Sequence, residues 1–243
     1  MSYLILVRHG ESRWNLANKF TGWVDVPLSK KGVKEAVAVA KKLKNIKIDQ
    51  AFTSHLERAH ETLTIILSQQ EMTGIFLHHG GKKEKWYSTD VHSEKNEILA
   101  HSTRELNERY YGALQGVNKS AARKKYGKEK VLLWRRGYSV RPPGGESIED
   151  VYKRAIPVFR KRVVPLLAEE KSVIIVSHGN VMRTILKYIE DIPTELIPHI
   201  DLPSAEPIIY RYSKRGFSHR DGLFGFNRPI LWDHEKEPKR SNK

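Results

Sequence analysis

The chain has no cysteine among its 243 residues, and this absence excludes disulfide bonds, zinc–thiolate sites, iron–sulfur clusters and thiol nucleophiles. Long hydrophobic runs are also missing at the start, where only five apolar residues (3–7) precede Arg8. A secretory signal needs about 7–15 apolar residues and a membrane span about 20. The sequence therefore predicts a globular, cytoplasmic protein without a secretory signal or membrane association.

Acidic residues are scarce relative to basic ones, at 28 against 43, and the formal net charge is +15. Such an excess suggests an anionic partner, either nucleic acid or a phosphorylated small molecule. The basic residues are spread along the chain, and no helix-turn-helix, RNA-recognition or zinc-finger pattern accompanies them. We therefore expect no specific nucleic-acid partner, although a basic binding protein is one alternative to an enzyme.

Short apolar strands alternate with amphipathic helices along most of the chain. Strands are predicted at residues 3–7, 50–53, 173–176 and 208–212. Helices are predicted over residues 29–44, after a capping box at 54–57, from about 147 and from about 180. This alternation predicts an α/β fold whose largely parallel central sheet is covered by helices on both faces, in three layers.

One domain is predicted, over residues 1–232. The stretch from His78 to His101 is polar and rich in Lys, His, Ser and Gly, and we expect it to be an exposed insertion loop. Its histidines could suggest a metal site, but we expect no metal, because their surroundings look flexible. The tail from Asp233 to Lys243 is charged and interrupted by proline, which predicts disorder.

Two loops each place a histidine–glycine pair directly after an apolar strand. The pairs are His9-Gly10 and His178-Gly179. A lone histidine at a strand end is commonly a structural hydrogen-bonding residue. However, ligands of parallel sheets bind beyond the carboxyl ends of the strands, and glycine lets the backbone approach a ligand closely. Two such pairs therefore favour a site at this edge of the sheet.

The charged residues near these pairs favour a phosphoryl group as the ligand. Arg8 adjoins His9, and Arg58 lies just after another strand; a guanidinium group grips phosphate by planar, forked hydrogen bonding. Without cysteine, and without an acidic cluster at metal-ligand spacing, imidazole is the natural nucleophile, and a second histidine can stabilise the charge. Glu108 is the candidate carboxylate for proton transfer, and Asn15 could add a neutral donor.

Longer stretches resemble a known family. Residues 6–12, Leu-Val-Arg-His-Gly-Glu-Ser, are similar to the signature of the histidine phosphatase superfamily. Asn107-Glu108-Arg109 and Trp134-Arg135-Arg136-Gly137 are similar to more specific motifs of the cofactor-dependent phosphoglycerate mutase branch. With the segments around Thr21-Gly22 and His178-Gly179-Asn180, the resemblance covers roughly residues 3–212.

The resemblance implies a role for individual positions. His9 would become the phosphohistidine, Glu108 would exchange protons with the substrate hydroxyls, and His178 would stabilise the transition state. Arg8 and Arg58 complete the implied catalytic set. The implied contacts to the phosphoryl group and the rest of the substrate are made by these residues together with Gly10, Glu11, Ser12, Asn15, Thr21, Gly22, Arg109, Tyr110, Tyr111, Lys119, Arg135, Arg136, Gly179 and Asn180.

The activity implied by the resemblance is the interconversion of 3-phosphoglycerate and 2-phosphoglycerate in glycolysis and gluconeogenesis. It would be primed by 2,3-bisphosphoglycerate, need no metal, and be carried out by a homodimer or homotetramer. The alternative is a phosphatase of the same superfamily, in which water takes the phosphoryl group from His9. The chain departs from the family pattern by the insertion between Arg58 and Glu108 and by a short segment at 143–146; both bear on the balance of mutase and phosphatase activity.

Overall fold

A seven-stranded sheet forms the centre of the computed structural model, which describes residues 1–80 and 93–219. In chain order the strands are β1 (Ser2–Arg8), β2 (Gln50–Thr53), β3 (Thr73–His79), β4 (Glu97–Thr103), β5 (Val173–Ser177), β6 (Pro207–Ser213) and β7 (Gly216–His219). Their order across the sheet is β3-β4-β2-β5-β1-β6-β7. The first five in this order are parallel, whereas β6 is antiparallel to β1 and β7 to β6. The predicted largely parallel sheet is confirmed.

Helices lie on both faces of the sheet, as the sequence predicts. The α-helices are α1 (Arg13–Leu16), α2 (Lys30–Leu43), α3 (Glu57–Ser68), α4 (Lys119–Tyr126), α5 (Lys128–Arg136), α6 (Ile148–Val158), α7 (Val164–Ala168) and α8 (Gly179–Glu190). Shorter helical turns are a π-helical stretch at Phe159–Val163 and 3₁₀ turns at Arg104–Leu106, Gly112–Leu114 and Thr194–His199. Within the described ranges, no helix is long and apolar enough to cross a membrane.

Residues of β1 alternate between the two faces of the sheet. Leu4 and Leu6 belong to a core formed with α6 and α8, whereas Ile5 and Val7 belong to a second core formed with α2 and α3. Because both faces are covered, each position of this strand needs an apolar side chain. That requirement explains the continuous apolar run that predicted the strand.

The strand register brings several loops to one edge of the sheet. Arg8, the last residue of β1, is level with Ser177, the last residue of β5. Thr53, the last residue of β2, is level with Val176 and with Ser102 near the end of β4. The segments that follow these strands therefore start side by side.

The predicted loop over residues 78–101 is too long at both ends. β3 continues through His79, and β4 begins at Glu97 and buries Ile98 and Ala100 in the core of α2 and α3. Backbone pairing with β4 holds the polar end of β3 in the sheet, with His79 level with Thr103. The middle of the predicted loop, including His92, and the predicted tail at 233–243 lie outside the described residues.

Of two predicted helix starts, one is confirmed and the other is wrong. Ser29 caps α2 as predicted, because its hydroxyl accepts a hydrogen bond from the Gly32 amide at 3.1 Å. The predicted capping box at 54–57 is wrong: α3 begins at Glu57, and its N-cap residue, Leu56, makes no side-chain cap. The Ser54 hydroxyl is instead bonded to the His178 ring.

Candidate active site

The structure brings together the two histidines that the strand pattern singled out. The ring centroids of His9 and His178 are 4.9 Å apart, with the ring planes at 59°. His9 directly follows β1, and His178 directly follows β5. The His9 amide donates to the Ser177 carbonyl at 2.9 Å, which continues the ladder between these strands and fixes where both loops begin. The carboxyl edge of the sheet is therefore the candidate site.

His9 is a buried, neutral imidazole. It is only 3% exposed, and its Nδ1 lies 2.6 Å from its neighbour's carbonyl, that of Gly10. A carbonyl can only accept, so the proton is on Nδ1 and the lone pair is on Nε2. Burial, and then the positive charges of Arg58 and Arg8, hold the pKa of His9 well below its ordinary value. The imidazole is therefore neutral near pH 7, and a neutral imidazole with a free lone pair can act as a nucleophile.

His178 is a buried imidazole that is bonded to Ser54. Its Nε2 lies 2.8 Å from the Ser54 hydroxyl, which also accepts from the Leu56 amide at 3.2 Å. If Ser54 donates its proton to Nε2, the ring proton is on Nδ1, which is buried and has no partner in the described part of the chain. Burial, followed by Arg58 and His9, holds the pKa of His178 well below its ordinary value. In that tautomer the Nδ1–H can donate to a ligand oxygen.

Two arginines supply positive charge beside the histidines. Arg58, 1% exposed, donates to the carbonyls of Gly22 at 2.8 Å and Val24 at 3.1 Å. Burial lowers its pKa to about 10, which leaves it cationic at neutral pH. Arg8 donates from Nη1 to the Leu202 carbonyl at 2.5 Å, and its buried Nε has no partner among the described residues. Carbonyl bonds orient both guanidinium groups without neutralising them.

Glu108 is connected to the His178 loop through Asn180. Its Oε1 accepts from the Arg109 amide at 2.7 Å and from the Asn180 Nδ2 at 2.9 Å. Asn180 belongs to the first turn of α8, directly after His178 and Gly179. The predicted proton-transfer residue is therefore held next to the predicted phosphoryl site.

The first turn of α8 is suited to an anion. His178 is its N-cap residue, so the free amides and the positive end of the helix dipole point away from the helix at this loop. A Cβ atom at Gly179 would lie 3.4 Å from Nη1 of Arg183 and 3.6 Å from Nε of Arg8, which is ordinary contact. Two guanidinium groups therefore lie beside this turn.

Arg183 is a site residue that the sequence reasoning missed. It is buried and donates from Nε and Nη2 to the Ile200 carbonyl at 3.0 and 2.9 Å. Its Nη1 lies 3.4 Å from the Asn180 Oδ1, so it favours the amide orientation that points Nδ2 at Glu108. The signal that could have found it is its spacing, three residues after Asn180 on the same helix face.

Further cations surround Tyr111 and the end of α5. Arg109 is fully buried and donates from Nη2 to the Arg135 carbonyl at 2.7 Å and to the Tyr111 hydroxyl at 3.2 Å. Its Nε and Nη1 are buried without a partner in the described ranges. Burial, followed by the charges of Arg135 and Arg8, lowers the pKa of Lys119 to about 8. These groups form a cationic continuation of the site, and their role in substrate binding stays a prediction.

Arg136 is placed differently from its neighbour Arg135. Its Nη1 donates to the carbonyls of Pro198 at 3.0 Å and Ile200 at 3.2 Å, and its Nη2 lies 3.4 Å from Asp201. The side chain is therefore engaged with the segment that also binds Arg183. Its predicted role in substrate binding stays a prediction.

The remaining predicted residues divide into two groups. Thr21 is buried with its hydroxyl unpartnered in the described part of the chain, and Asn15 holds the Ser12 amide and hydroxyl with its Oδ1. The Glu11 carboxylate instead bonds to the Ser29 hydroxyl at the start of α2, and Tyr110 is 36% exposed. The structure thus turns the Glu11 side chain towards α2.

Gly10 packs closely against the backbone of α2. A Cβ atom built on it would lie 2.4 Å from the Gly32 carbonyl oxygen. At Gly22 the backbone has φ +56°, and a Cβ atom would lie 2.2 Å from the Gln115 side-chain oxygen. The absence of a side chain at Gly10 therefore allows the loop to pack closely against α2, and the expected approach of its backbone to a ligand stays a prediction.

Over residues 1–80 and 93–219, no group of three or more histidine, aspartate or glutamate side chains could hold a metal ion. His78 and His79 end β3, where His79 lies 2.9 Å from His101. The expectation that the reaction needs no metal stays a prediction.

The fold and this site are those of the histidine phosphatase superfamily. The family model described as the histidine phosphatase superfamily (branch 1) matches residues 4–78 and 89–221, and the chain belongs to this superfamily. Solved structures share the fold: Bacillus stearothermophilus YhfR has a TM-score of 0.69 at 24% identity, covering 90% of this chain and 96% of its own. A mycobacterial glucosyl-3-phosphoglycerate phosphatase has a TM-score of 0.68 at 22% identity, covering 86% of this chain and 92% of its own.

Comparison with curated relatives shows to which family within the superfamily the chain belongs. A 2,3-bisphosphoglycerate-dependent phosphoglycerate mutase from Methanosarcina acetivorans is 47% identical over 229 residues, covering 88% of this chain and 92% of that relative. A mutase of the same description from Gloeobacter violaceus is 43% identical over 220 residues, covering 88% and 95%. Within the superfamily, the chain belongs to the family of 2,3-bisphosphoglycerate-dependent phosphoglycerate mutases.

Proposed function

We propose that this protein is an isomerase that interconverts 3-phosphoglycerate and 2-phosphoglycerate in glycolysis and gluconeogenesis. The observation that carries the proposal is the buried pair of His9 and His178, both held neutral among guanidinium groups that are bonded to carbonyls. The names of relatives at 43–47% identity support the same substrate pair. The protein would act in the cytoplasm, as a homodimer or homotetramer.

The buried donors of the site fit 2,3-bisphosphoglycerate, which would supply the phosphoryl group that primes His9. Unpartnered donors in the described ranges include Arg8 Nε, two nitrogens of Arg109, and Thr21 Oγ1. Unpaired buried donors are costly, and anionic oxygens are their best acceptors. A ligand with a carboxylate and two phosphates would satisfy them without a metal.

The residues divide the reaction into two phosphoryl transfers. Nε2 of His9 forms a P–N bond as the P–O bond of the donor breaks, and Glu108 gives a proton to the leaving oxygen. In the second transfer a substrate hydroxyl attacks phosphorus, the P–N bond breaks, and Glu108 takes the hydroxyl proton. Arg8, Arg58 and the Nδ1–H of His178 stabilise the charge on the transferring oxygens.

A coupled mutase assay with and without 2,3-bisphosphoglycerate tests the proposal, with a chelator included to test the absence of a metal. His9→Ala should abolish turnover, because the His9 imidazole is the proposed nucleophile. The variant should also fail to acquire the acid-labile, base-stable phosphoryl label that labelled 2,3-bisphosphoglycerate transfers to the wild-type protein. His199→Ala, at an exposed histidine, is the matched control. Retention of the label by the His9 variant would refute the assignment.

A phosphatase is the second candidate, because the solved structures of this fold include a phosphatase. The cations around Tyr111 favour the mutase, since its bisphosphorylated intermediate must stay bound while it reorients. Replacing Arg135 by Ala should therefore lower the ratio of isomerised product to released phosphate. Loss of one charge-assisted contact corresponds to roughly 10–150-fold. An unchanged ratio in a folded Arg135→Ala variant would favour the phosphatase.

A further inference from the structure

Arg154, in α6, donates from all three guanidinium nitrogens, to Glu146 and to the segment that carries Glu108. Nε and Nη2 bond to the two carboxylate oxygens of Glu146, each at 2.9 Å. Nη1 donates to the Glu105 carbonyl at 2.6 Å, and Nη2 donates also to the Glu108 carbonyl at 3.0 Å. The side chain is 17% exposed, so these bonds are largely shielded from water.

Two other residues hold the same segment. The Glu146 carboxylate accepts from the Tyr110 amide at 2.9 Å, and the Tyr110 carbonyl accepts from the Glu146 amide at 2.8 Å. From the other side, the Trp23 Nε1 donates to the Glu108 carbonyl at 2.5 Å. The Arg154 guanidinium also lies over the Trp23 ring, 5.8 Å from its centroid. The Glu108 carbonyl therefore receives two donors from different elements.

This arrangement matters because Glu108 lies outside regular secondary structure. The 3₁₀ turn ends at Leu106, and the next begins at Gly112, so no helix or strand ladder fixes the backbone between them. A carboxylate that exchanges protons must stay within hydrogen-bond reach of its partner. Displacement of a reacting group by about 1 Å can cost 100-fold in rate.

We propose that Arg154, Glu146 and Trp23 form a backbone clamp that positions Glu108 for proton transfer. The inference rests on the proposed function, because it assigns these three positioning residues to the same proton transfer. Each acts through the backbone of Glu108 or its neighbour Tyr110. The clamp residue Glu146 belongs to the 143–146 segment, which is shorter here than in the family pattern.

A second ion pair on α6 provides a matched control. Arg141 donates from Nε and Nη2 to the two Asp150 oxygens at 2.6 and 2.5 Å, which is the same bidentate geometry. It is 64% exposed, and its pairing is with the first turn of α6 rather than with the Glu108 segment. Arg141→Lys therefore makes the same substitution in a bidentate ion pair with α6 without touching the clamp.

Arg154→Lys retains the charge but cannot reach two carbonyls and a carboxylate together. We expect kcat for 3-phosphoglycerate to fall by about 10–100-fold while KM changes by less than about threefold. Arg141→Lys should keep both values, and thermal unfolding of each variant checks the fold. A KM increase at constant kcat would overturn the proposal, as would a folded Arg154→Lys variant with wild-type kcat. Wild-type protein without mutase activity would instead refute the proposed function.

A double-mutant cycle separates positioning from general structural support. Glu108→Gln removes proton transfer, so adding Arg154→Lys to it should change kcat by less than about twofold. A further 10-fold loss in the double variant would mean that Arg154 acts independently of the carboxylate, and would overturn the proposal. If Arg154→Lys fails to fold, Trp23→Phe removes one donor from the Glu108 carbonyl and should show the same kcat-selective loss and the same non-additivity. Additive losses there would overturn the clamp.

Discussion

Gly10→Ala tests how closely the His9 loop must lie against α2. The added Cβ atom would lie 2.4 Å from the Gly32 carbonyl oxygen and 3.0 Å from Gly32 C and Cα, whereas ordinary contact begins at 3.4 Å. Backbone atoms cannot rotate away as a flexible side chain can. The loop and the helix must therefore separate by about 1 Å.

The shift would reach the nucleophile directly, because the Gly10 carbonyl accepts the Nδ1 proton of His9 at 2.6 Å. We expect kcat to fall about 100-fold, the cost of a 1 Å misplacement. Overpacking should also lower the free energy of unfolding by about 1–3 kcal/mol, and Tm by roughly 2–4 °C per kcal/mol.

The measurements are the coupled mutase assay and thermal unfolding of Gly10→Ala. Gly74→Ala in β3 is the control, since its new Cβ atom would meet the end of the flexible Leu67 side chain at 3.1 Å and only small effects are expected. A Gly10→Ala protein with wild-type kcat and Tm would refute the reasoning.

Three further predictions concern the charged and polar groups of the site. Burial lowers the pKa of His60 to about 4 and holds those of His9 and His178 well below 6.5. Between pH 6.5 and about 5 the unfolded chain therefore binds protons that the folded chain does not. Because of this difference, the free energy of unfolding should fall as pH falls, by up to about 1.4 kcal/mol per pH unit per histidine. His60→Gln should reduce this slope in denaturant titrations, and an unchanged slope would contradict the assignment. Asn180→Asp places a carboxylate against Glu108 and should lower kcat roughly 10–150-fold, whereas Asn118→Asp, at the N-cap of α4, should not. Arg183→Lys loses bonds to the Ile200 carbonyl and should lower the free energy of unfolding by about 1–3 kcal/mol, measured by urea denaturation; wild-type stability would show those bonds to be dispensable.

The sequence could predict the two histidine loops because their position follows from local rules. β1 and β5 are buried on both faces, so each is a continuous apolar run whose end is visible. Parallel strands then place the residues after those ends at one edge, as His9 and His178 are. The strands, the α2 cap and this juxtaposition therefore needed no knowledge of distant contacts.

Edge strands were harder to predict than central ones. β3 lies at the edge of the sheet and its side chains are mostly half-buried, so neither an apolar run nor a strict alternation marks it. Its polar end, His78-His79, is held by backbone pairing with β4. The pattern of apolar and polar side chains carries no information on such pairing. β7 lies at the other edge of the sheet, and the side-chain pattern did not predict it either.

Two arginines that are shielded from solvent were also missed, for a related reason. Arg154 and Arg183 lie in helices, where a cation is usually a solvated residue. Their partners are backbone carbonyls and a carboxylate distant in sequence, such as the Ile200 carbonyl or Glu146. Only the tertiary fold brings those acceptors within reach. Ser54 is a similar case, since its partner His178 follows 124 residues later.

The strand order has a consequence for synthesis on the ribosome. β1 emerges first, yet both of its neighbours, β5 and β6, come from the last third of the described chain. At about 5–20 residues per second, β1 waits on the order of ten seconds or more for β5 to be made. The nucleophile loop cannot form during that interval, because the Ser177 carbonyl that anchors His9 and the Leu202 carbonyl that orients Arg8 have yet to be translated. A nascent chain halted before residue 173 would therefore expose β1 without either of its neighbouring strands and carry no phosphoryl site.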